Sequence, residues 1–179
     1  MHDITTALPD LTLVPPNPTR DAPSALAWFQ SVHGRETLLR MGNPAHKITA
    51  PTLEGETRTL HEFLELEKTG QQLTWMIRYD DQTIGAVWLE LVATPHLQAP
   101  AVHIMVGDPS YRGKGVGKAV LQEMIRYAAY SLQAPVLYSR HLTSNAAIAH
   151  LMQALGFVRD GMPYVDADGL EFQNILRKL

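Results

Sequence analysis

The stretch His103–Leu121, HIMVGDPSYRGKGVGKAVL, decides the reading of the chain. An apolar run, AVHIMV, stops at Gly107-Asp108-Pro109. Gly113, Gly115 and Gly117 follow, interleaved with Arg112, Lys114 and Lys118. From Val116 the apolar residues Val120, Leu121, Met124, Ile125 and Ala128 recur at helical spacing. Strand, glycine turn and helix N-terminus, in that order, make an anion site. The first amides of a helix lack internal partners, and the helix dipole favours negative charge there. Glycines admit a ligand to the backbone with no Cβ in the way. The plainer alternative is a solvated basic turn whose glycines serve only the bend.

Two common phosphate loops can be tested against these residues. A nucleotide P-loop requires G-x-x-x-x-G-K-[ST]. Aligned on Gly117-Lys118, the chain has Arg112 where the first glycine belongs and Ala119 where the metal-binding hydroxyl belongs. A dinucleotide fingerprint requires G-x-G-x-x-G. Gly113 and Gly115 begin it, and Lys118 ends it. What remains is R-x-x-G-x-G, formed by Arg112, Gly115 and Gly117.

Around this core the chain reads as mixed α and β, with hairpins first and β-α-β later, and no linker divides residues 1–179. LTLV before Pro15-Pro16 suits a short edge strand. Asp21 can cap a helix with Pro23 in its first turn, closed by Gly34. Thr59-Leu60-His61-Glu62 fits a capping box, and that helix ends near Gly70. LTWMIRY and TIGAVWLEL flank the turn Asp80-Asp81-Gln82 as a hairpin. PVLYSRHL is a further strand. Ser144 or Asn145 then caps a helix that ends at Gly156, and two strands joined at Asp168-Gly169 close the chain.

The totals narrow the function classes. Apolar residues are 45% of the chain, charged residues 18%, and the net charge is −3. Broad attraction to nucleic acid or to an acidic membrane is not expected. With no cysteine, disulfides and thiolate chemistry are excluded. The N-terminus lacks the pattern of a secretory signal, and no apolar run reaches membrane-spanning length. A cytoplasmic location is the resulting expectation. The eight histidines include no pair at metal-ligand spacing, so no metal site is expected.

GDPSYRGKG resembles the coenzyme A pyrophosphate loop of the GNAT superfamily of N-acetyltransferases, and is most similar to the RimJ/RimL-type branch. NAAIAHLMQALGF resembles the superfamily's later N-x-x-[AS]…GF element, with Asn145 and Gly156-Phe157 at matching separation. The resemblance implies an α+β fold. Its sheet would be central, mostly antiparallel and twisted, with about six to seven strands and a splayed parallel pair, flanked by about four helices. It implies acetyl-CoA as cosubstrate, lying between AVHIMV and PVLYSRHL. Ile104, Met105 and Val106 would guide the pantetheine arm. Arg112, Gly113, Lys114, Gly115, Val116, Gly117 and Lys118 would hold the pyrophosphate. Asn145 would bond the pantetheine or the amine. The acceptor would be a protein N-terminus or a small-molecule amine, and homodimers are usual in this branch. A coenzyme A-binding sensor without catalysis is the alternative from another class.

Direct attack of an amine on a thioester needs a base, an oxyanion donor and an acid for the thiolate. His103 is the leading base candidate, because histidine titrates near neutrality and this one faces away from Val102 and Ile104. A structural histidine is the alternative. Glu90 on the preceding strand is a second base candidate, weighed against the favoured alternative of an exposed strand-end carboxylate, and His141 is a third, or else a core residue. The tyrosine that many superfamily members use as acid falls here at Met152, which cannot donate a proton. Ser144 and Tyr138 are the substitutes nearby. The acid-rich segment EGETRTLHEFLELEK either borders a cation-attracting opening or is a solvated helix face. Trp28, Trp75 and Trp88 are expected in the core, with one of them available to wall the acceptor pocket.

Overall fold

A computed structural model describes residues 1–179. In chain order the elements are β1 (Ile4–Thr5), β2 (Leu11–Val14), α1 (Pro18–Gln30), α2 (Gly34–Arg40), α3 (Leu53–Lys68), β3 (Gln72–Tyr79), β4 (Gln82–Glu90) and β5 (Ala101–Val106). Then come α4 (Val116–Tyr130), β6 (Val136–Leu142), α5 (Ala146–Ala154), β7 (Val158–Arg159), β8 (Tyr164–Val165) and β9 (Glu171–Lys178). One sheet runs β1-β2-β3-β4-β5-β6-β9-β7, with β8 also paired to β9. Every pairing is antiparallel except β5 with β6. No helix is long and apolar enough to cross a membrane.

The sheet buries both faces, and strand alternation decides which residue goes where. Trp75, Ile77, Val87, Leu89 and Val102 point to the face covered by α4 and α5, where they meet Val120, Leu121 and Met124. Met76, Ala86 and Met105 point the other way and pack against Trp28 of α1 and Leu60 of α3. Burial of each large side chain contributes about 1.5–3 kcal/mol.

Several expectations change at the first three helices. α1 is capped by Asn17, whose side chain accepts from the Arg20 N–H at 3.0 Å. Asp21 is one turn inside the helix. It is fully buried, ion-paired with Arg20 at 2.7 Å and accepting from the Thr83 hydroxyl at 2.9 Å. Gly34 opens α2 instead of closing α1, and a side chain there would run into the Phe29 carbonyl. α3 begins at Leu53, ahead of the expected Thr59, because the Thr52 hydroxyl caps the Gly55 N–H at 3.1 Å. Five α-helices therefore flank the sheet instead of four, the extra one being α2. The sheet has nine strands instead of six or seven. The surplus, β1 and β7, are two-residue pairings, and β8, the first strand of the closing hairpin, is equally short. β1 covers β2, so β2 is not the edge. Gln82 belongs to β4, opposite Tyr79, which leaves Asp80-Asp81 as the turn.

Two irregularities in the centre shape the site. β4 carries an extra residue against β3, where the register shifts between Ile77 and Arg78. The displaced Ile84 carbonyl accepts from both Gly107 N–H at 2.9 Å and Asp108 N–H at 3.1 Å, which turns the chain out of β5. The second irregularity is a fork. β5 and β6 share one register position, Ala101 opposite Tyr138. The Tyr138 N–H donates to the Pro100 carbonyl at 2.9 Å. The buried Ser139 hydroxyl closes the fork by donating to the Val102 carbonyl at 2.7 Å. Beyond Val102 the β6-facing edge of β5 has no strand partner.

Ser139→Ala removes the hydroxyl and leaves a buried carbonyl without its donor. The expected loss is about 1–3 kcal/mol of unfolding free energy, read by denaturant titration.

Candidate active site

The fork opens into a cavity of about 670 Å³, within the range of small-molecule and cofactor sites. Its walls are β5, the outer half of β6, the loop after β5 and the first turns of α5. Residues at the end of α2 and just beyond it, Thr37 to Asn43, close one side.

The loop presents backbone donors. The amides of Gly113 to Lys118 donate to no protein acceptor; the first amide in the series with one is Ala119, which bonds the Gly115 carbonyl. Gly113 and Gly115 have φ of 73° and 83°, in the left-handed region, and a Cβ on either would meet nothing within 4 Å. Both glycines therefore face open space, and Gly115 heads α4 without a side-chain cap. Gly117 serves packing instead. A Cβ there would come within 3.1 Å of the Leu151 side chain, so the bare backbone lets α5 close on α4.

The loop cations divide into two kinds. Lys118 lines the cavity, and Lys114 lies over the Tyr111 ring at 5.4 Å. Arg112, expected at the pyrophosphate, spends its guanidinium on the protein. Its Nε and Nη2 donate to the Val106 carbonyl at 3.0 and 2.9 Å, and Nη2 donates to the Thr37 hydroxyl at 2.8 Å. It ties the end of β5 to α2. Burial, followed by the nearby Arg40 charge, pulls its pKa below the ordinary value.

Asn145 is also committed within the protein. Its Oδ1 accepts from the Ile148 N–H at 3.4 Å as the cap of α5, and its Nδ2 donates to the Arg40 carbonyl at 3.1 Å. It lines the cavity while fastening α5 to the end of α2.

At the inner end stand His103 and Glu90. The His103 ring stacks on Trp88, its direct cross-strand neighbour, with centroids 5.4 Å apart and planes 19° from parallel. Its Nε2 lies 3.5 Å from Glu90 Oε1. That is an ion-pair distance and too long for a full hydrogen bond, and Nε2 is otherwise unpartnered although buried. The Glu90 carboxyl is held below its usual range, chiefly by the His103 ring and also by Arg140, against the opposing effect of burial. Glu90 is thus half-buried and paired, where a strand-end carboxylate was expected to be exposed. His141 also lines the cavity, with Nδ1 2.9 Å from the Leu142 carbonyl.

The two substitute acids lie elsewhere. Tyr138 occupies the paired root of the fork, behind the opening, and does not line the cavity. Ser144 is exposed on the turn before α5, also off the cavity wall. Met152 lines the wall and is buried. Ile104, Met105 and Val106 are on the wall.

Other wall residues gave no motif to read. Arg40, Met41, Gly42 and Asn43 come from a stretch that resembles a punctuated loop. Trp88 had a usable signal, since it alternates with Glu90 on one strand face. Arg140 and Phe172 meet only through the pairing of β6 with β9. α3 contributes nothing to this wall, so its acidic residues are a helix face away from the cavity.

A family model described as "Acetyltransferase (GNAT) domain" matches residues 10–158. The chain belongs to the GNAT acetyltransferase family. It stands thereby among the acetyl-CoA-dependent acyltransferases, and the sheet with one splayed parallel pair is the GNAT fold. A curated relative, N-alpha-acetyltransferase RimI of Mycobacterium tuberculosis, is 34% identical over 61 residues. That match spans 34% of this chain and 36% of the relative. Among solved structures, the microcin C7 self-immunity acetyltransferase MccE, in complex with acetyl-CoA and AMP, superposes with a TM-score of 0.79 at 11% identity, covering 96% of this chain and 94% of that one. A RimL ribosomal protein acetyltransferase in complex with coenzyme A gives 0.78 at 14% identity, with 96% of each chain covered. Mycobacterium smegmatis RimJ, in complex with a coenzyme A disulfide, gives 0.75 at 15% identity, covering 99% of this chain and 90% of that one.

The two kinds of loop cation respond differently to substitution. Arg112→Ala is expected to lower the melting temperature and to weaken acetyl-CoA binding together. Lys118→Ala is expected to weaken binding by about 3- to 10-fold with no change in melting temperature, and the deficit shrinks as salt rises. Calorimetric titration and thermal melts read both.

Proposed function

We propose that the protein transfers the acetyl group of acetyl-CoA to a primary amine, by direct attack within a ternary complex. One observation carries this reading. The unpartnered amides of Gly113–Lys118 and the His103–Glu90 pair stand at separate parts of one cavity, joined by the open edge of β5. The amides leave room for a pyrophosphate, the open edge of β5 for a pantetheine arm, and the His103–Glu90 pair for an amine. Two structural neighbours are complexes with acetyl-CoA or coenzyme A, which supports the same cosubstrate here. Residues 1–179 act as one catalytic domain in this reading.

The chemistry follows from the placement. The pyrophosphate binds the loop amides, with Lys118 and Lys114 adding charge. The pantetheine lies along Ile104, Met105 and Val106, bonding the backbone edge that β6 leaves free. A neutral amine attacks the thioester carbonyl, a C–N bond forms, and the C–S bond breaks. His103 takes the proton that the amine loses, and Glu90 stabilises the imidazolium that results. The coenzyme A thiolate leaves and is protonated from water, since Met152 offers no proton. Arg112 and Asn145 act by holding the walls in place. The acceptor is a protein N-terminus or a small-molecule amine.

Thiol release from acetyl-CoA across a panel of amines tests the proposal. Turnover with any amine supports it. Tight acetyl-CoA binding without turnover on every amine favours a coenzyme A-binding sensor. Gly115→Glu places charge and bulk at the pyrophosphate and forces a side chain into the left-handed region; acetyl-CoA affinity should fall below detection. Unchanged affinity would exclude the cofactor site.

His103→Gln should lower kcat/KM by about 100-fold. A base fails when protonated, so the wild-type rate falls as pH falls, and the variant should lose that limb of its profile. An unaltered limb clears His103 of the role.

A further inference from the structure

Arg140 sits on β6 one residue beyond the fork-closing Ser139, on the cavity wall. We propose that Arg140 selects the acceptor by gripping an oxyanion on it, so that the acceptor is a small primary amine bearing a carboxylate or a phosphate. This rests on the acetyl-transfer reading above.

The guanidinium is held but not satisfied. Nη1 donates to the Tyr164 hydroxyl at 3.0 Å, which is the side chain's one hydrogen bond within the protein. The charge lies over the Phe172 ring, 4.8 Å from its centre. No carboxylate lies within 4.0 Å of it: none of the chain's ion pairs includes Arg140. Its support is stiff. Tyr164 is stacked between His96, at 5.1 Å and 11°, and Phe172, at 5.9 Å and 24°. A rigidly held arginine with free N–H groups on a cavity wall suits a bidentate oxyanion. Left alone, a half-buried charge without a partner costs stability that a ligand would recover.

The other cations of the wall are accounted for. Arg112 is consumed by carbonyls, and Arg40 pairs with Glu36 at 2.6 Å and lies close to Arg112. Lys118 stands in the first turn of α4, beside the unpartnered loop amides. Arg140 and Glu90 line the same cavity, and the Arg140 charge helps to hold the Glu90 carboxyl below its usual range. Glu90 is the one carboxylate on the wall, and the acids of α3 lie away from it. A polycationic amine would therefore meet one carboxylate and an opposing arginine. An acceptor with an amine for His103 and an oxyanion for Arg140 matches both.

The test compares matched acceptors at saturating acetyl-CoA. The probes are free α-amino acids with their carboxamides, phosphoethanolamine with ethanolamine, spermidine, and a tripeptide amide with a neutral first residue. In at least one matched pair the anionic member should show a KM about 10- to 100-fold below its neutral twin, and which pair does so separates carboxylate from phosphate. Arg140→Gln should erase that preference while acetyl-CoA affinity holds, which also shows that the variant folds. Arg140→Lys should restore part of it, and Tyr164→Phe should weaken it. Preference for the neutral twins, spermidine or the tripeptide, or discrimination that survives Arg140→Gln, overturns the proposal. If acetyl-CoA binds and no probe is acetylated, the transfer reading fails by itself. The oxyanion site is then read by calorimetry of the same probes on the coenzyme A complex. Binding of anionic probes that is lost in Arg140→Gln supports it, and absence of that binding overturns it.

Discussion

The hydrogen bond from Ser139 to the Val102 carbonyl is where two parallel strands stop being a sheet. The cavity opens just beyond it. A parallel pair normally continues its ladder along its length. Here one register position and one side-chain bond hold the root, and β5 runs on with a free edge. The free edge is tolerable because an extended ligand can pair with it. The bulge in β4 completes the arrangement, since the Ile84 carbonyl collects the Gly107 and Asp108 amides and steers the chain off the sheet. Gly107 makes that exit possible, because a side chain there would strike the Trp28 ring.

Positive charge near the loop has two distinct uses. Arg112 is a brace, with three short bonds to the Val106 carbonyl and the Thr37 hydroxyl. The amides of Gly113 to Lys118 remain unpartnered donors at fixed positions. Fixed donors cost little reorganisation when the ligand arrives. Asn145 repeats the theme from the other side, capping α5 while bonding the Arg40 carbonyl. α2 is thus pinned by both residues, which explains how a seven-residue helix keeps a wall in place.

What could be read from residues alone was local and periodic. The loop, α4, β5 and the α5 cap stand where their spacing put them, because turn glycines, helical period and an Asn cap act over a few residues. α2 was hidden by Gly34, which reads as a helix stop and in fact permits a close helix-to-helix turn against the Phe29 carbonyl. The start of α3 was misplaced because a capping box at Thr59 looks better than the lone Thr52 that caps it. Roles fared worse than positions. Arg112 and Asn145 lie on the wall, but what their side chains bond to is set by α2, which sequence spacing does not place. Tyr138 and Ser144 were nearby in sequence only; the root of the fork and an exposed turn keep them from the cavity.

The inner end shows why register matters more than motif. Trp88, His103 and Glu90 belong to two antiparallel strands and meet because Trp88 lies directly opposite His103. The indole face fixes the imidazole plane, and Glu90 then lies 3.5 Å from Nε2. On the next strand Arg140 is oriented by a different stack, built from Phe172, Tyr164 and His96. The two stacks are independent, since they draw on different strands and share no residue. An imidazole and a fixed guanidinium fork are therefore both held rigidly on the wall of one cavity. In the proposed acetyl transfer, an acceptor that satisfies only the imidazole leaves the guanidinium unpaired. Selection against such acceptors needs no clash, because the unmet charge supplies the penalty.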